Sequence, residues 1–206
     1  TGKAGVCLST LGPGATNLVT GVADANLDRV PLVAITGQAG LDRMHKESHQ
    51  YVDTVALFKP ITKWNTLVHT ADIVPEVVRK AFKLAQMEKP GATHIDFPED
   101  VAKADLIALP IPLKDEAHTP YPTEETLGIA AKLISDANYP VVLAGNGVLR
   151  SRASESLTNF AVKLNIPVAT TFMGKGAISD DCPLSLLSIG LRDDDHISCG
   201  FEQADL

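Results

Sequence analysis

The sequence is poor in cysteine, has no excess of basic residues and lacks long apolar runs. Its formal net charge of −7 argues against a nucleic-acid partner, because nucleic-acid-binding domains are commonly basic. No apolar run is long enough to cross a membrane and no signal peptide is recognisable, so we expect a cytoplasmic protein without a membrane partner. The cysteines Cys7, Cys182 and Cys199 share no metal-ligand spacing and are expected to be reduced thiols.

The 206 residues do contain an alternation of apolar strands and amphipathic helices. The first series predicts strands over 5–9, 30–37, 61–68 and 92–98, and helices over 15–27 and 71–89, the second helix being capped by Gly91. The second series predicts helices over 123–137 and 152–164, and strands over 140–145 and 166–171. Strands separated by helices indicate an α/β fold, here with two parallel-sheet units.

A change of composition separates the two series. Residues 99–122 carry Pro110, Pro112, Pro120 and Pro122 among charged residues, which is typical of a linker. The predicted organisation is therefore a first domain over 1–98, a linker over 99–122 and a second domain over 123–206. The chain starts at Thr1 and stops where a further strand is expected, so we expect a segment of a longer protein.

The stretch STLGPGATN places Gly12, Pro13 and Gly14 between the first strand and the first helix. In open α/β sheets ligands bind at this edge, glycine allows close approach of the backbone, and proline makes the turn rigid. We expect Asn17 at the start of the helix, where its amide either caps the helix or bonds a ligand. The alternative is a plain tight turn, because short glycine motifs are weak signals.

Two other motifs are weaker. In HKESHQ (45–50), His45 and His49 have helical spacing, but Lys46 stands where a zinc protease needs glutamate, so we predict no metal site. The alternative for this stretch is a solvated polar loop. In GNGVLR (145–150), Arg150 replaces the third glycine of a dinucleotide fingerprint, which argues against an NAD site.

The run TGKAGVCLSTLGPGATNLVTGVADANLDRVPLVAITGQ closely resembles the acetolactate synthase family of thiamine-diphosphate-dependent enzymes. The resemblance continues through HQYVDTVALFKPITKW, ATHIDFPEDV and PVVLAGNGV, and covers essentially the whole chain. It implies the C-terminal half of a pyrimidine-binding domain followed by most of a Rossmann-like central domain. It also implies that Gly12, Pro13, Gly14 and Asn17 bind the cofactor's aminopyrimidine, and that Gln50 and His49 contact the substrate or a cofactor-bound intermediate.

By the same resemblance, the catalytic glutamate and the Mg²⁺ ligands lie outside this segment, which is expected to be inactive alone. The pair His49-Gln50 matches the flavin-free, catabolic members, and Glu99 replaces a lysine common in the biosynthetic ones. The turns Gly145-Asn146-Gly147 and Gly174-Lys175-Gly176 depart from those of FAD-binding members, which argues against FAD.

The implied activity is decarboxylation of pyruvate and condensation of its two-carbon unit with a second 2-oxo acid, in a homodimer or homotetramer. Two alternatives remain. One is another thiamine-diphosphate-dependent 2-oxo acid decarboxylase or acetyltransferase. The other is a truncated binding module without catalysis.

Overall fold

The computed structural model describes residues 3–46, 48–107, 109–112, 121–190, 193–195 and 200–206. The chain divides into two compact units, residues 1–118 and residues 119–206, and the division falls inside the predicted linker. Residues 113–120 of that linker lie outside the described residues, so its bounds stay a prediction. The predicted class is confirmed: both units are built on parallel sheets.

The first unit contains a four-stranded parallel sheet in the order β1-β2-β4-β3. Its strands are β1 (Gly5–Ser9), β2 (Leu32–Gln38), β3 (Trp64–Leu67) and β4 (Ala92–Pro98). β1 and β4 have the predicted bounds, whereas β3 is shorter because a 3₁₀ turn over Lys59–Ile61 precedes it. The register pairs Ser9 with Thr36 and Thr36 with Asp96, so β1, β2 and β4 bring their carboxyl ends to one edge.

The described helices of this unit are α1 (Pro13–Asn17), α2 (Val19–Leu27), α3 (Thr54–Phe58), α4 (Val74–Gln86) and α5 (Glu99–Lys103). The single helix predicted over 15–27 is two helices that meet at Leu18. The prediction for Asn17 is therefore corrected, since it is the last residue of α1 and caps no helix start. The N-cap positions are Gly12 and Leu18, neither of which makes a side-chain cap bond.

The C-cap position of the long helix is Met87 and not Gly91 as predicted, because α4 ends at Gln86, although the Gly91 N–H does donate to the Ala85 carbonyl in the last turn of α4 at 3.0 Å. Gly91 also lies against Asn26, whose side-chain oxygen accepts a hydrogen bond from the Ala92 N–H at 3.2 Å. A Cβ at Gly91 would stand 2.5 Å from that oxygen. The glycine thus allows α2 to bind the start of β4.

Apolar side chains cover both faces of the first sheet at β2. Val33 packs in one buried cluster with Ala81 of α4, and the next residue of β2, Ala34, packs in the other with Val22 and Phe58. Successive residues of a strand point to opposite faces, so a strand covered on both sides contains consecutive apolar residues, as in residues 32–35 of β2. This explains why β2 can be recognised from the sequence.

The second unit contains a three-stranded parallel sheet in the order β5-β6-β7. Its elements are α6 (Glu124–Asp136), β5 (Val142–Ala144), α7 (Asn146–Arg150), α8 (Ser154–Leu164), β6 (Val168–Thr170) and β7 (Ser185–Ser188). The four elements predicted here are present with somewhat shorter bounds, whereas α7 and β7 were not predicted. Across the described part of the chain, no helix is both long and apolar enough to span a bilayer.

Candidate functional site

A cleft of about 680 Å³ opens at the carboxyl edge of the first sheet. Its volume is typical of small-molecule sites, and this edge is where ligands of open α/β sheets bind. The lining residues come from the ends of β1, β2 and β4, from the loop after β2 and from α5: Leu8, Ser9, Thr10, Leu11, Ile35, Gly37, Gln38, Ala39, Arg43, Ser48, His49, Gln50, Phe97, Glu99 and Ala102. The predicted residues His49 and Gln50 are therefore part of the cleft wall.

The glycine-proline-glycine turn lies directly behind this wall. The Leu11 carbonyl accepts a hydrogen bond from the Gly14 N–H at 3.3 Å, which closes a four-residue turn. Gly12 has φ 55° and ψ −116°, the angles of the first central position of a type II′ turn, which favours glycine. Pro13 follows at the start of α1, where its missing N–H costs nothing.

The group that approaches this turn so closely is the backbone of Gln50. A Cβ at Gly12 would collide with the Gln50 carbonyl oxygen and stand 2.8 Å from the Gln50 Cβ. Gln50 itself has φ 59°, a left-handed conformation that is uncommon for a residue with a side chain. The two segments that the resemblance assigns to the site are thus in direct contact, and the side chains of His49 and Gln50 remain exposed.

The other predicted cofactor-binding residues lie outside the cleft wall. Gly14 packs on the preceding loop, where an added Cβ would stand 2.6 Å from Thr10 Cγ2. Pro13 and Asn17 are exposed on α1 and do not line the cleft. Glu47, within the stretch 45–50, lies outside the described residues.

A buried polar network beneath the cleft was not predicted from the sequence. Its members are Thr36 (0% exposed), Gln38 (3%), Thr54 (0%), His94 (0%) and Asp96 (1%). Thr36 Oγ1 donates to Asp96 Oδ1 at 2.8 Å, and Gln38 Nε2 donates to Asp96 Oδ2 at 3.0 Å. The same Gln38 amide also donates to the Val52 carbonyl at 3.0 Å, two residues after Gln50. A Thr or His in an apolar strand is only weak evidence of a polar network, and the sequence does not show that these side chains are in contact.

Burial changes the proton affinity of both titratable members. Burial raises the pKa of the Asp96 carboxyl, although hydrogen bonds from Thr54, Thr36 and Gln38 oppose the shift. Burial lowers the pKa of His94 to about 4, and its ring stacks on Phe58 with centroids 4.1 Å apart. His94 is therefore a neutral imidazole at pH 7.

The bonding of Thr36 fixes which His94 nitrogen carries the proton. The Thr36 hydroxyl has one hydrogen, which it donates to Asp96, so it accepts from His94 Nε2 across the 2.8 Å contact. The proton consequently sits on Nε2, and Nδ1 finds no partner among the described residues. The chain of hydrogen bonds runs from His94 through Thr36 to Asp96.

Charge in the cleft wall comes from an ion pair. Arg43 and Glu99 approach to 2.9 Å with both side chains about half exposed, and Lys103 contacts Glu99 from the next turn of α5. The hydrogen bond from Lys103, then the charges of Lys103 and Arg43, lower the pKa of the Glu99 carboxyl. Glu99 therefore carries a paired negative charge in the cleft wall.

The glycine turns of the second unit pack on each other. A Cβ at Gly174 would collide with the Ala144 carbonyl oxygen and stand 3.1 Å from Gly145 Cα. The Thr171 N–H also donates to the Ala144 carbonyl at 2.9 Å. Contact between the loops after β5 and β6 thus accounts for Gly174. Within the described residues, no three His, Cys, Asp or Glu side chains are grouped to hold a metal ion.

The structure describes two of the three cysteines. Cys7 and Cys182 are free thiols, and burial raises the pKa of Cys7. Cys199 lies outside the described residues.

Comparison with known proteins gives two domain matches. Residues 1–57 match the thiamine pyrophosphate enzyme N-terminal TPP binding domain, which includes the glycine turn and the pair His49-Gln50. Residues 127–206 match the thiamine pyrophosphate enzyme central domain. The two matches fall in the two structural units.

Relatives named as acetolactate synthases align with most of the chain. A probable acetolactate synthase large subunit of Methanococcus aeolicus is 46% identical over 199 residues, which are 93% of this chain and 33% of the relative. An acetolactate synthase of Mycobacterium leprae is 43% identical over 87% of this chain and 29% of its own length. The chloroplastic acetolactate synthase 3 of Brassica napus is 40% identical over 100% of this chain and 32% of its own length. The chain thus spans about a third of the length of these relatives.

Proposed function

Because the chain belongs to the thiamine pyrophosphate (thiamine diphosphate) enzymes, matching both their N-terminal and their central domain, we propose that it forms part of an acetolactate synthase. The protein decarboxylates pyruvate and joins the two-carbon unit to a second 2-oxo acid. The observation that carries the proposal is the cleft in which His49 and Gln50 stand over the Gly12 turn. The relatives named as acetolactate synthases support it with 40–46% identity.

The residues present fit such a cofactor. A flat heteroaromatic ring needs a close, rigid wall with open space beside it. The backbone of Gln50 fills the space at Gly12, so the ring would lie in the adjoining cleft of about 680 Å³, against Ser9, Thr10 and Leu11, which lead into the II′ turn. Pro13 and Asn17 are exposed on α1 outside the cleft wall, and their contact with the aminopyrimidine ring is what the resemblance implies. When bound, thiamine diphosphate supplies the electron sink that lets a 2-oxo acid lose carbon dioxide.

The chain's own residues bind and orient the substrate. Gln50 carries an amide with two donors and one acceptor, which can orient the carboxylate or the carbonyl of pyruvate. His49 adds a polar contact near that carboxylate. Leu8, Ile35 and Phe97 form the apolar part of the cleft wall and reduce the water around the reacting group.

The remaining assignments follow from the family resemblance and belong to the same proposal. By that resemblance the Mg²⁺ ion that holds the diphosphate is bound outside this chain, and the pair His49-Gln50 argues against FAD because it resembles the flavin-free members. The protein is a homodimer or homotetramer with the active site between subunits. The product serves branched-chain amino acid synthesis or acetoin and butanediol formation.

The test is acetolactate formation from pyruvate by the full-length protein that carries this chain, with thiamine diphosphate and Mg²⁺ present and no FAD added. We expect acetolactate only when the thiamine cofactor is present. Acetaldehyde as the main product would make the protein a decarboxylase. No product from any 2-oxo acid, with thiamine diphosphate still bound, would make it a binding module.

A further inference from the structure

The segment that carries Gln50 is tied to a buried carboxylate. Gln50 is followed by Tyr51, Val52 and Asp53, and α3 begins at Thr54. The Val52 carbonyl accepts from Gln38 Nε2 at 3.0 Å, and Thr54 Oγ1 lies 3.3 Å from the same nitrogen. That amide has two hydrogens, one of which is donated to Asp96, so it holds the segment directly after Gln50 through the Val52 carbonyl.

The orientation of the Gln38 amide is determined by its other bonds. Gln38 Oε1 accepts from the Ala39 N–H at 2.9 Å, so the amide nitrogen must face the opposite way, toward Val52 and Asp96. Asp96 Oδ2 accepts a hydrogen bond from this nitrogen at 3.0 Å. If the amide rotated by half a turn, its oxygen would face the Asp96 carboxylate and the Val52 carbonyl, which are both acceptors.

We propose that Asp96, acting through the Gln38 amide, fixes the Val52 carbonyl and thereby the position of Gln50 over Gly12. Asp96 and Gln38 are positioning residues of the cleft. This inference rests on the proposed function only in taking Gln50 as a substrate-binding residue. Asp96 does not line the cleft, so it acts on the reaction through Gln38 and not by contact with the substrate.

The backbone of Gln50 has an unfavourable conformation that neighbouring groups must stabilise. A glutamine at φ 59° returns to the favoured β or α region unless its surroundings hold it. The Gly12 turn limits the segment from one side, and the bond to Val52 limits it from the other. Buried hydrogen bonds that include a charged acceptor are among the stronger ones in proteins, which suits them to this task.

The first part of the test is a double-mutant cycle in the full-length protein, with Gln38→Met, Asp96→Asn and both together. Methionine keeps the volume of Gln38 but removes its donors, and asparagine offers one acceptor oxygen to the three donors Thr54, Thr36 and Gln38. We expect kcat/KM for pyruvate to fall about 10- to 100-fold in Gln38→Met and about tenfold in Asp96→Asn. We expect the double variant to equal Gln38→Met alone, because Asp96 acts through Gln38. Additive losses would overturn the proposal.

The second part measures the segment itself by hydrogen exchange of the backbone amides over 49–54. We expect faster exchange in Gln38→Met and Asp96→Asn. The matched control is Thr93→Val, since Thr93 is equally buried on β4 but bonds to the Ala81 carbonyl of α4 and does not touch the segment. Thr93→Val should lose stability without faster exchange over 49–54 and without a change in kcat/KM.

The two parts separate the failure of this inference from the failure of the proposed function. A wild-type protein that forms no acetolactate refutes the proposed function, whereas hydrogen exchange still decides whether Asp96 and Gln38 hold the segment. Unchanged exchange over 49–54 in folded Gln38→Met refutes the inference, even if Asp96→Asn does not fold. Equal acceleration in Thr93→Val refutes it as well, because the effect would then be general.

Discussion

At the scale of single residues, the close contact with the Gln50 backbone explains why position 12 is a glycine. The pattern of the sequence predicts a close approach at the glycine turn, and the structure supplies the partner, which is the backbone of a residue far along the chain. This contact could not be predicted from local sequence, since no residue between the two positions indicates that Gln50 has a positive φ or that it packs on the type II′ turn. The exposed side chains of His49 and Gln50 were identified by resemblance, and the buried Asp96 network was missed because its residues are scattered over two strands and one helix.

Gly12→Ala is expected to destabilise the protein by about 3 kcal/mol or more, because the new Cβ collides with the Gln50 backbone and alanine disfavours positive φ. Denaturant unfolding of the full-length protein measures the change. Gly21→Ala is the matched control, since nothing lies within 4 Å of a Cβ at that position in α2. The control should be neutral or slightly stabilising. Equal unfolding midpoints for both variants would show that the turn does not need glycine.

Gln50→Ala and Asn17→Ala are expected to lower activity with little effect on stability, since both side chains are exposed. For Gln50→Ala we expect a lower kcat/KM for pyruvate. For Asn17→Ala we expect weaker binding of thiamine diphosphate, because its amide has no capping role in the fold. Steady-state kinetics and cofactor titration measure the two effects, and wild-type values in both variants would remove these residues from the proposed site.

At the scale of elements, β2 was predictable because its residues 32–35 form a run of apolar residues, as expected for a strand covered on both faces. The break between α1 and α2 at Leu18 was not, since the residues around it continue the helical spacing. β7 was missed because its sequence, Ser-Leu-Leu-Ser, is short and half polar. Its place is fixed instead by pairing with β6, including a hydroxyl contact of 2.9 Å between Thr170 and Ser188.

Gly174→Ala is expected to disrupt the contact between the loops after β5 and β6, because its Cβ collides with the Ala144 carbonyl, a backbone atom that cannot swing away. A loss of about 2–4 kcal/mol is expected for such a forced shift. Gly128→Ala serves as the control in the same unit, since a Cβ there meets nothing within 4 Å. Hydrogen exchange of the amides in β5 and β6 would locate the damage, and unchanged protection in Gly174→Ala would contradict the expectation.

At the scale of the whole molecule, the first unit should lose stability in mild acid. His94, in the first unit, has its pKa lowered to about 4, below the ordinary value of 6.5, so the unfolded chain takes up a proton first as the pH falls. The stability of the fold that holds His94 neutral is therefore complete above pH 6.5, and the free energy of unfolding decreases as the pH falls toward 4. Burial raises the pKa of Asp96, which works in the opposite direction and partly offsets the loss at the acid end.

Lowering the pH from 7 to 5 should destabilise the first unit by about 2 kcal/mol, from the His94 shift alone. Urea unfolding of the full-length protein, followed by hydrogen exchange in β2 and β4, measures this loss. His94→Gln should remove most of the pH dependence, whereas His69→Gln, at an exposed position, should keep it. The same pH dependence in His94→Gln would assign the acid sensitivity to another group.

The contact between Gly12 and Gln50 also matters to anyone who wishes to redesign this cleft. Position 50 is attractive for a library because its side chain is exposed over the cavity, but its backbone must keep φ near 59°. Asparagine, aspartate and glycine accept that conformation most readily, while valine, isoleucine and threonine resist it. A screen that ranks all replacements together would therefore confuse poor chemistry with poor geometry. A library restricted to residues that tolerate a left-handed backbone would report on substrate preference alone.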